Sequence, residues 1–371
     1  MRLTFPHLGN AYIVVKTLFD ELDIDYLIPP FNSKRALELG TKIAPELACL
    51  PMKINLGNCI EAYEKGADTI LITGGCGPCR FGYYGEMERD ILKDAGYKMD
   101  VITLEWPDKG LKEFLGRIRK LTGGLNAYRI LKACKKAVSI SKDIDTLEKL
   151  TFKTRPREIV KGSTDKIYKG FRNSVRSAKG YREIKKVLEE ARSKLIKLET
   201  DKKMVPLKIG IVGEIYTTID SYSNFGLETK LGNMGIEVDR EVTVSGWIIE
   251  HMLKAALHIP RNLRYKKAAE PYLGVMIGGH AQETIGNTII YSKSGYDGVI
   301  QIYPLTCMPE IVAQSILPAV ERDFDIPVLT LIIDELSGEA GYMTRLEAFS
   351  DLIKKRRERR ENGENWALSG D

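Results

Sequence analysis

Six cysteines are spread over the 371 residues, and four of them share a kind of place. Cys49, Cys76, Cys79 and Cys307 each stand beside Pro or Gly at the end of an expected element. Cys76 and Cys79 follow the run Thr69-Ile70-Leu71-Ile72-Thr73, which reads as a buried strand, and precede a helical pattern from Glu86 to Ala95. Thiols where a strand ends and a helix begins occupy the usual ligand position of an open α/β sheet. A helix N-terminus also favours thiolate, the form that binds metal. Cys59 and Cys134 fall inside expected helices and read as small core residues.

The spacing selects among metals. Zinc fingers usually supply two close ligand pairs, and here only Cys76 and Cys79 are paired. Of the four histidines, only His280 sits in a comparable loop. Three or four thiolates from separated loops suit an iron–sulfur cluster better. A redox dithiol at Cys76 and Cys79 is the weaker reading, because the Gly-Pro filling matches a thioredoxin motif only superficially. Lys53 and Arg80 lie beside these cysteines in sequence, where their charge would offset a thiolate-bound cluster. Glu214, Asn224 and Glu283 follow expected C-terminal strands; Asp334, Glu335, Thr344 and Arg345 follow the last one. His280, after Gly278-Gly279, could donate a proton or bind metal. For each of these, capping, a surface ion pair or a structural hydrogen bond is the competing reading.

The elements that must position these residues alternate. Strands are expected at 2–5, 25–28, 69–73 and 99–104, with helices at 11–22, 37–48, 53–65 and 86–95. Such βα units imply a mostly parallel sheet with helical cover. From Pro107 to about Lys203 the strand pattern stops, and helices are expected at 110–121, 127–139 and 181–198. The alternation restarts at Leu207. It gives strands at 208–213, 237–242, 272–277, 298–302 and 327–333, helices at 227–234, 311–322 and 345–357, and a frayed charged tail. The division expected is an α/β lobe over 1–106, a basic helical segment over 107–205, a second α/β lobe over 206–355 and the tail over 356–371. A short repeat links the lobes. Gly66-Ala67-Asp68 plus a strand leads to Cys79, and Gly295-Tyr296-Asp297 plus a strand leads to Cys307.

Charge and hydropathy narrow the function classes. Lys109 to Lys203 holds 28 Lys and Arg against 11 Asp and Glu, whereas the rest of the chain is acidic. A basic segment can meet an acidic protein, a phosphorylated ligand or nucleic acid, or be a solvated helical face. Its aromatics are sparse, mainly Tyr128, Tyr168, Phe171 and Tyr181, which argues against a zinc-stabilised RNA-binding protein. No uncharged apolar run is long enough for a membrane span. The N-terminus runs directly into strand-like sequence without a signal peptide, which points to the cytoplasm and to reduced thiols.

Several blocks together resemble a known family. They are Cys49-Leu50-Pro51-x-Lys53 with Gly57-Asn58, Gly77-Pro78-Cys79-Arg80-Phe81-Gly82-x-Tyr84, Gly213-Glu214-Ile215-Tyr216, and Asp334-Glu335 through Gly338-Glu339-Ala340-Gly341 to Thr344-Arg345-Leu346-Glu347-Ala348-Phe349. The chain resembles 2-hydroxyacyl-CoA dehydratase components. Closest in pattern are the activator-related branch, labelled CoA-substrate-specific enzyme activase-like, and the double-cubane-cluster relatives. The resemblance implies two Rossmann-like lobes with a [4Fe–4S] cluster between them, held by three cysteines that correspond best to Cys49, Cys79 and Cys307. It leaves Cys76 as a fourth ligand or an outer-shell thiol. A larger double-cubane cluster is disfavoured, because Cys59 and Cys134 sit in the wrong local context. The implied function is low-potential electron transfer to, or reductive or dehydrative chemistry on, a small substrate, CoA-linked or free. The implied partner is an ATP-dependent activase or another low-potential electron donor, in a protein that can form homo-oligomers. The chain itself carries no Gly-rich ATP-binding loop. The competing reading is a non-catalytic electron carrier or accessory protein that docks an acidic partner through the basic helices.

Overall fold

The computed structural model describes residues 1–74, 80–104, 111–124, 126–253 and 263–362. The chain begins with β1 (Leu3–Thr4), α1 (Ala11–Leu22), α2 (Lys34–Ile43), α3 (Leu50–Glu64), β2 (Thr69–Thr73), α4 (Tyr84–Asp94) and β3 (Asp100–Leu104). Four helices follow, α5 (Leu111–Thr122), α6 (Ala127–Arg157), α7 (Ser163–Ser177) and α8 (Gly180–Ile196). The second alternation runs β4 (Leu207–Gly213), α9 (Ile215–Ile219), α10 (Leu227–Asn233), β5 (Ile236–Arg240), α11 (Val244–Trp247), α12 (Arg264–Ala269), α13 (Ala281–Lys293), β6 (Gly298–Pro304), α14 (Met308–Phe324), β7 (Val328–Ile333) and α15 (Glu339–Glu361). This is a mixed α/β fold in which every ladder between named strands is parallel.

Two compact units divide the chain. One takes the described residues of Met1–Glu148, Lys166–Lys197 and Thr243–Pro260; the other takes those of Lys149–Asp165, Leu198–Val242 and Arg261–Asp371. The helices between the two alternations are therefore shared out.

The first unit holds a sheet of order β1-β2-β3, and the expected strand at 25–28 shrinks to a single parallel bridge, Leu3 to Tyr26. Pro29-Pro30 cannot donate ladder hydrogen bonds, which ends the pairing at once. The second unit holds a sheet of order β5-β4-β6-β7. With the Tyr26 bridge counted, each sheet has the same order: its first strand lies between the second and the third. β6, Gly-Val-Ile-Gln-Ile-Tyr-Pro, is buried at every residue, as a strand covered on both faces must be.

The repeat seen in the sequence has a structural counterpart. Asp68 accepts from the Arg2 backbone N–H at 2.9 Å, and Asp297 accepts from the Lys208 backbone N–H at 2.7 Å. Each aspartate thus ties the start of the third strand to the start of the first. Gly66 and Gly295 precede them with φ of 88° and 74°, a turn that glycine makes without a steric penalty. Eleven residues before each aspartate stands a glycine at a helix crossing. A Cβ on Gly57 of α3 would lie 1.7 Å from the Ala36 carbonyl oxygen of α2, and one on Gly286 of α13 would lie 2.1 Å from that of Tyr265 in α12.

Two expected elements are corrected. Residues 272–277 form no strand; they are turn and irregular backbone, with Val275 and Met276 exposed. Gly274 and the following Gly278-Gly279 interrupt what the apolar residues suggested. The terminal helix α15 starts earlier than expected and runs on to Glu361. Its last turns are anchored by Arg356 on Asp325 (2.6 Å) and by Arg357 Nε on Asp297 (2.9 Å), so 356–361 are not frayed.

Candidate functional site

In the second unit the strands neighbouring β4 lead away in opposite directions, β5 on one side and β6 on the other. Ligands of open α/β sheets bind outside the carboxyl ends of the strands at such a point. β4 ends at Gly213, whose φ of 133° and contact with the Ile302 carbonyl leave no room for a side chain. Glu214 then caps α9, and its carboxylate accepts from the N–H groups of Tyr216 (2.9 Å) and Thr217 (3.0 Å). Burial nevertheless holds the Glu214 carboxyl above its ordinary value, against the pull of those hydrogen bonds.

β6 ends at Pro304, and Cys307 caps α14 with Pro309 in the first turn, where a missing N–H costs nothing. Thr306 reaches this turn with φ of 71°, a left-handed conformation costing a β-branched residue about 1–2 kcal/mol. In the same turn Glu310 is fully buried. Thr284 Oγ1 donates to both its oxygens at 3.0 Å, and Gln301 Nε2 donates to Oε2 at 2.9 Å. Burial raises the Glu310 carboxyl to about 7; those hydrogen bonds oppose the rise, and the like charges of Glu214 and Glu283 add to it. Glu283 is itself raised to about 7, first by burial and then by Glu241. His280 Nε2 lies 3.9 Å from Glu283 Oε2. Tyr303 is pushed up to about 12, by burial and then by Glu310 and Cys307. One cysteine thus stands among carboxyls that hold or exchange protons near neutral pH.

The corresponding end of the first unit is built differently. Cys49 caps α3, with Pro51 in its first turn. The Cys49 thiol and the Tyr84 hydroxyl are hydrogen-bonded, which brings Cys49 to the first residue of α4. Below Tyr84 on the same face of α4, Glu88 is fully buried, and neither of its oxygens makes a hydrogen bond of normal geometry. Burial pushes Glu88 up to about 8, and the nearby Asn55 side chain only partly opposes this. Burial also raises the thiol of Cys59, one turn beyond Asn55, and Glu88 adds to the rise; Cys59 is an inert core residue.

The remaining expected residues fall as follows. Cys76 and Cys79 lie outside the described residues. Arg80 opens a short 3₁₀ turn, Arg80–Tyr83, and its side chain is likewise outside them. Lys53 is buried and donates to the Glu46 carbonyl at 3.0 Å. Asn224 is a turn residue, accepting from the backbone of Gly226 and Leu227. Asp334 accepts from Leu336 N–H and Ser337 Oγ, Thr344 bonds back to the Ala340 carbonyl, and Arg345 donates to the Thr330 carbonyl. Among the described residues no group of three or more His, Cys, Asp or Glu side chains is arranged to hold a metal. None of the described helices is long and apolar enough to cross a membrane.

Two buried acids were missed by sequence reasoning. Glu310 resembles an ordinary acidic residue of a first helical turn, but Gln301 inside an otherwise apolar strand signals a buried polar partner. Glu88 lies in the series Tyr84, Glu88 and Leu92, the spacing of one buried helix face. No protein-family model matches the chain, and no curated protein matches it significantly in sequence.

Proposed function

We infer that this chain is an iron–sulfur protein of the 2-hydroxyacyl-CoA dehydratase-like kind, with both units Rossmann-like. In this reading Cys49, Cys79 and Cys307 hold a [4Fe–4S]-type cluster, and Cys76 is an added thiol beside them. The observation that carries it is the placement of Cys307, at a helix cap after the third strand of its sheet. Cys76 and Cys79 follow β2, the third strand of the other sheet, whose start is tied down by Asp68 as that of β6 is by Asp297. Cys49 fits the same picture through its bond to Tyr84, five residues beyond Cys79. Both described thiols cap helices of 15 residues or more, where the positive end favours the thiolate that such a cluster requires.

When bound, a cluster with three protein ligands leaves one iron open for Lewis-acid or electron-transfer chemistry on a small substrate. The chain's own contribution is protons. Glu310 and Glu283 hold them near neutral pH, at the sheet end where a substrate would bind. Thr284 and Gln301 fix Glu310 in place. An ATP-dependent activase or another low-potential donor would supply the electron.

Purification without oxygen, followed by iron and acid-labile sulfide analysis and electron paramagnetic resonance, tests this. Iron with an equal amount of sulfide is expected. Stoichiometric zinc without sulfide would overturn it.

A further inference from the structure

The first unit also carries a pair of cations with no acidic side chain among the described residues to neutralise them. Arg172 and Arg176 lie one turn apart on α7, so their side chains share a face of the helix. Both guanidiniums stack on a single ring, Phe31, at 4.3 and 4.5 Å from its centroid. Arg176 also lies 5.8 Å from the ring of Tyr12. Tyr12, in the first turn of α1, is fully buried; its hydroxyl is engaged by the Arg172 side chain but makes no hydrogen bond of normal geometry. Arg172 Nε and Arg176 Nη1 are enclosed and likewise without acceptors. Among the described residues neither arginine has a carboxylate within ion-pair distance, whereas the buried Arg155, Arg240 and Arg356 each have one.

Such an arrangement is costly without a ligand. Each enclosed donor of a charged group that lacks an acceptor destabilises the fold, and the two like charges repel. Burial and the charge of Arg172 together lower the Arg176 guanidinium below its usual value. Cation–π contact with Phe31 offsets only part of this. The Tyr12 hydroxyl is raised by burial, while both arginines pull it down, so all three groups act on the same point.

We propose that Arg172, Arg176 and Tyr12 form a binding site for a phosphoryl group, with Phe31 as its platform. The class of ligand follows from the donors. Two guanidiniums carry two positive charges, and a carboxylate offers one negative charge. A tetrahedral phosphoryl group offers three terminal oxygens and nearly two negative charges, matching two arginines. The group can be free phosphate or the end of a nucleotide. Its four residues are none of the cysteine and glutamate residues described above, and it stands whether or not a cluster is bound.

The test is titration of the full chain with inorganic phosphate, adenosine 5′-monophosphate and adenosine, followed by calorimetry and by phosphorus NMR. Saturable binding of phosphate or the monophosphate, and none of adenosine, is expected. Monophosphate binding much more tightly than phosphate would assign the group to a nucleotide; equal binding would assign it to the free anion. Arg172→Met and Arg176→Met keep the stem over Phe31 and should each weaken binding about tenfold or more. Arg176→Lys keeps the charge without the fork and should weaken it less. If the Met variants fold poorly, the wild-type protein still gives a test. Phosphate should raise its melting temperature, and chloride at equal ionic strength should not. Absence of binding up to millimolar phosphate, or binding that both Met variants retain in full, would overturn the proposal.

Discussion

The two sheets share an order and a tether but bury their acids in opposite ways. At the end of the second unit's sheet, Glu310 is enclosed with donors on both oxygens, and its carboxyl rises only to about 7. In the first unit Glu88 is equally enclosed with no hydrogen bond of normal geometry, and rises to about 8. Desolvation drives both shifts; Gln301 and Thr284 oppose it at Glu310, and Asn55 alone opposes it at Glu88. Both carboxyls are therefore held protonated well above the ordinary carboxylate range, Glu310 within a network of donors and Glu88 in the core. The similar scaffold thus gives a donor-held acid at the sheet end of one unit. In the other it leaves a cysteine bonded to a buried tyrosine.

The shared scaffold can be broken most severely at its glycines. Gly57→Ala and Gly286→Ala each force a methyl group into a backbone carbonyl that cannot yield as a flexible side chain would. Each should cost about 3 kcal/mol or more in denaturant unfolding. A loss below about 1 kcal/mol at either position would show that the helix pair separates easily and that the two crossings are not equivalent.

The buried acids give a smaller, pH-dependent effect. Both folded-state values lie above the ordinary value of 4.5, so both carboxyls bind protons more tightly in the folded chain. Their stabilising contribution is complete below pH 4.5 and is lost as pH rises, through about 8 for Glu88 and about 7 for Glu310. The loss should be roughly 3–5 kcal/mol for Glu88 and roughly 2–4 kcal/mol for Glu310. Glu88→Gln and Glu310→Gln should each remove their share of that slope. Urea unfolding between pH 5 and 9 checks this; a slope left unchanged by Glu88→Gln would contradict a buried, titrating acid at that position.

Much of this architecture was legible in the sequence. The strands expected at 69–73, 208–213 and 298–302 are short apolar runs that end at glycine or run into proline, and the Asp68 and Asp297 repeat marks the same turn twice. Residues 272–277 misled because an apolar hexapeptide reads alike as strand or as exposed turn, and only tertiary contacts distinguish them. The strand expected at 25–28 has the right composition but two prolines at its edge. The cysteine positions were legible because Pro and Gly mark helix starts, so Cys49 and Cys307 both fall at caps. The environment around Cys307 was not, because it joins Glu214, Glu283, Thr284, Gln301 and Glu310 from separate elements. The paired arginines of α7 were hidden in a helix whose charge pattern reads as a solvated face.

The central claim is that Cys307 and the cysteines of the first unit hold one cluster. Iron and sulfide retained by anaerobically purified Cys307→Ser, Cys49→Ser, Cys79→Ser and Cys76→Ser, each beside the unaltered chain, test it most directly. The account predicts loss of the cluster in the first three and retention in Cys76→Ser. Full retention in Cys307→Ser would contradict it.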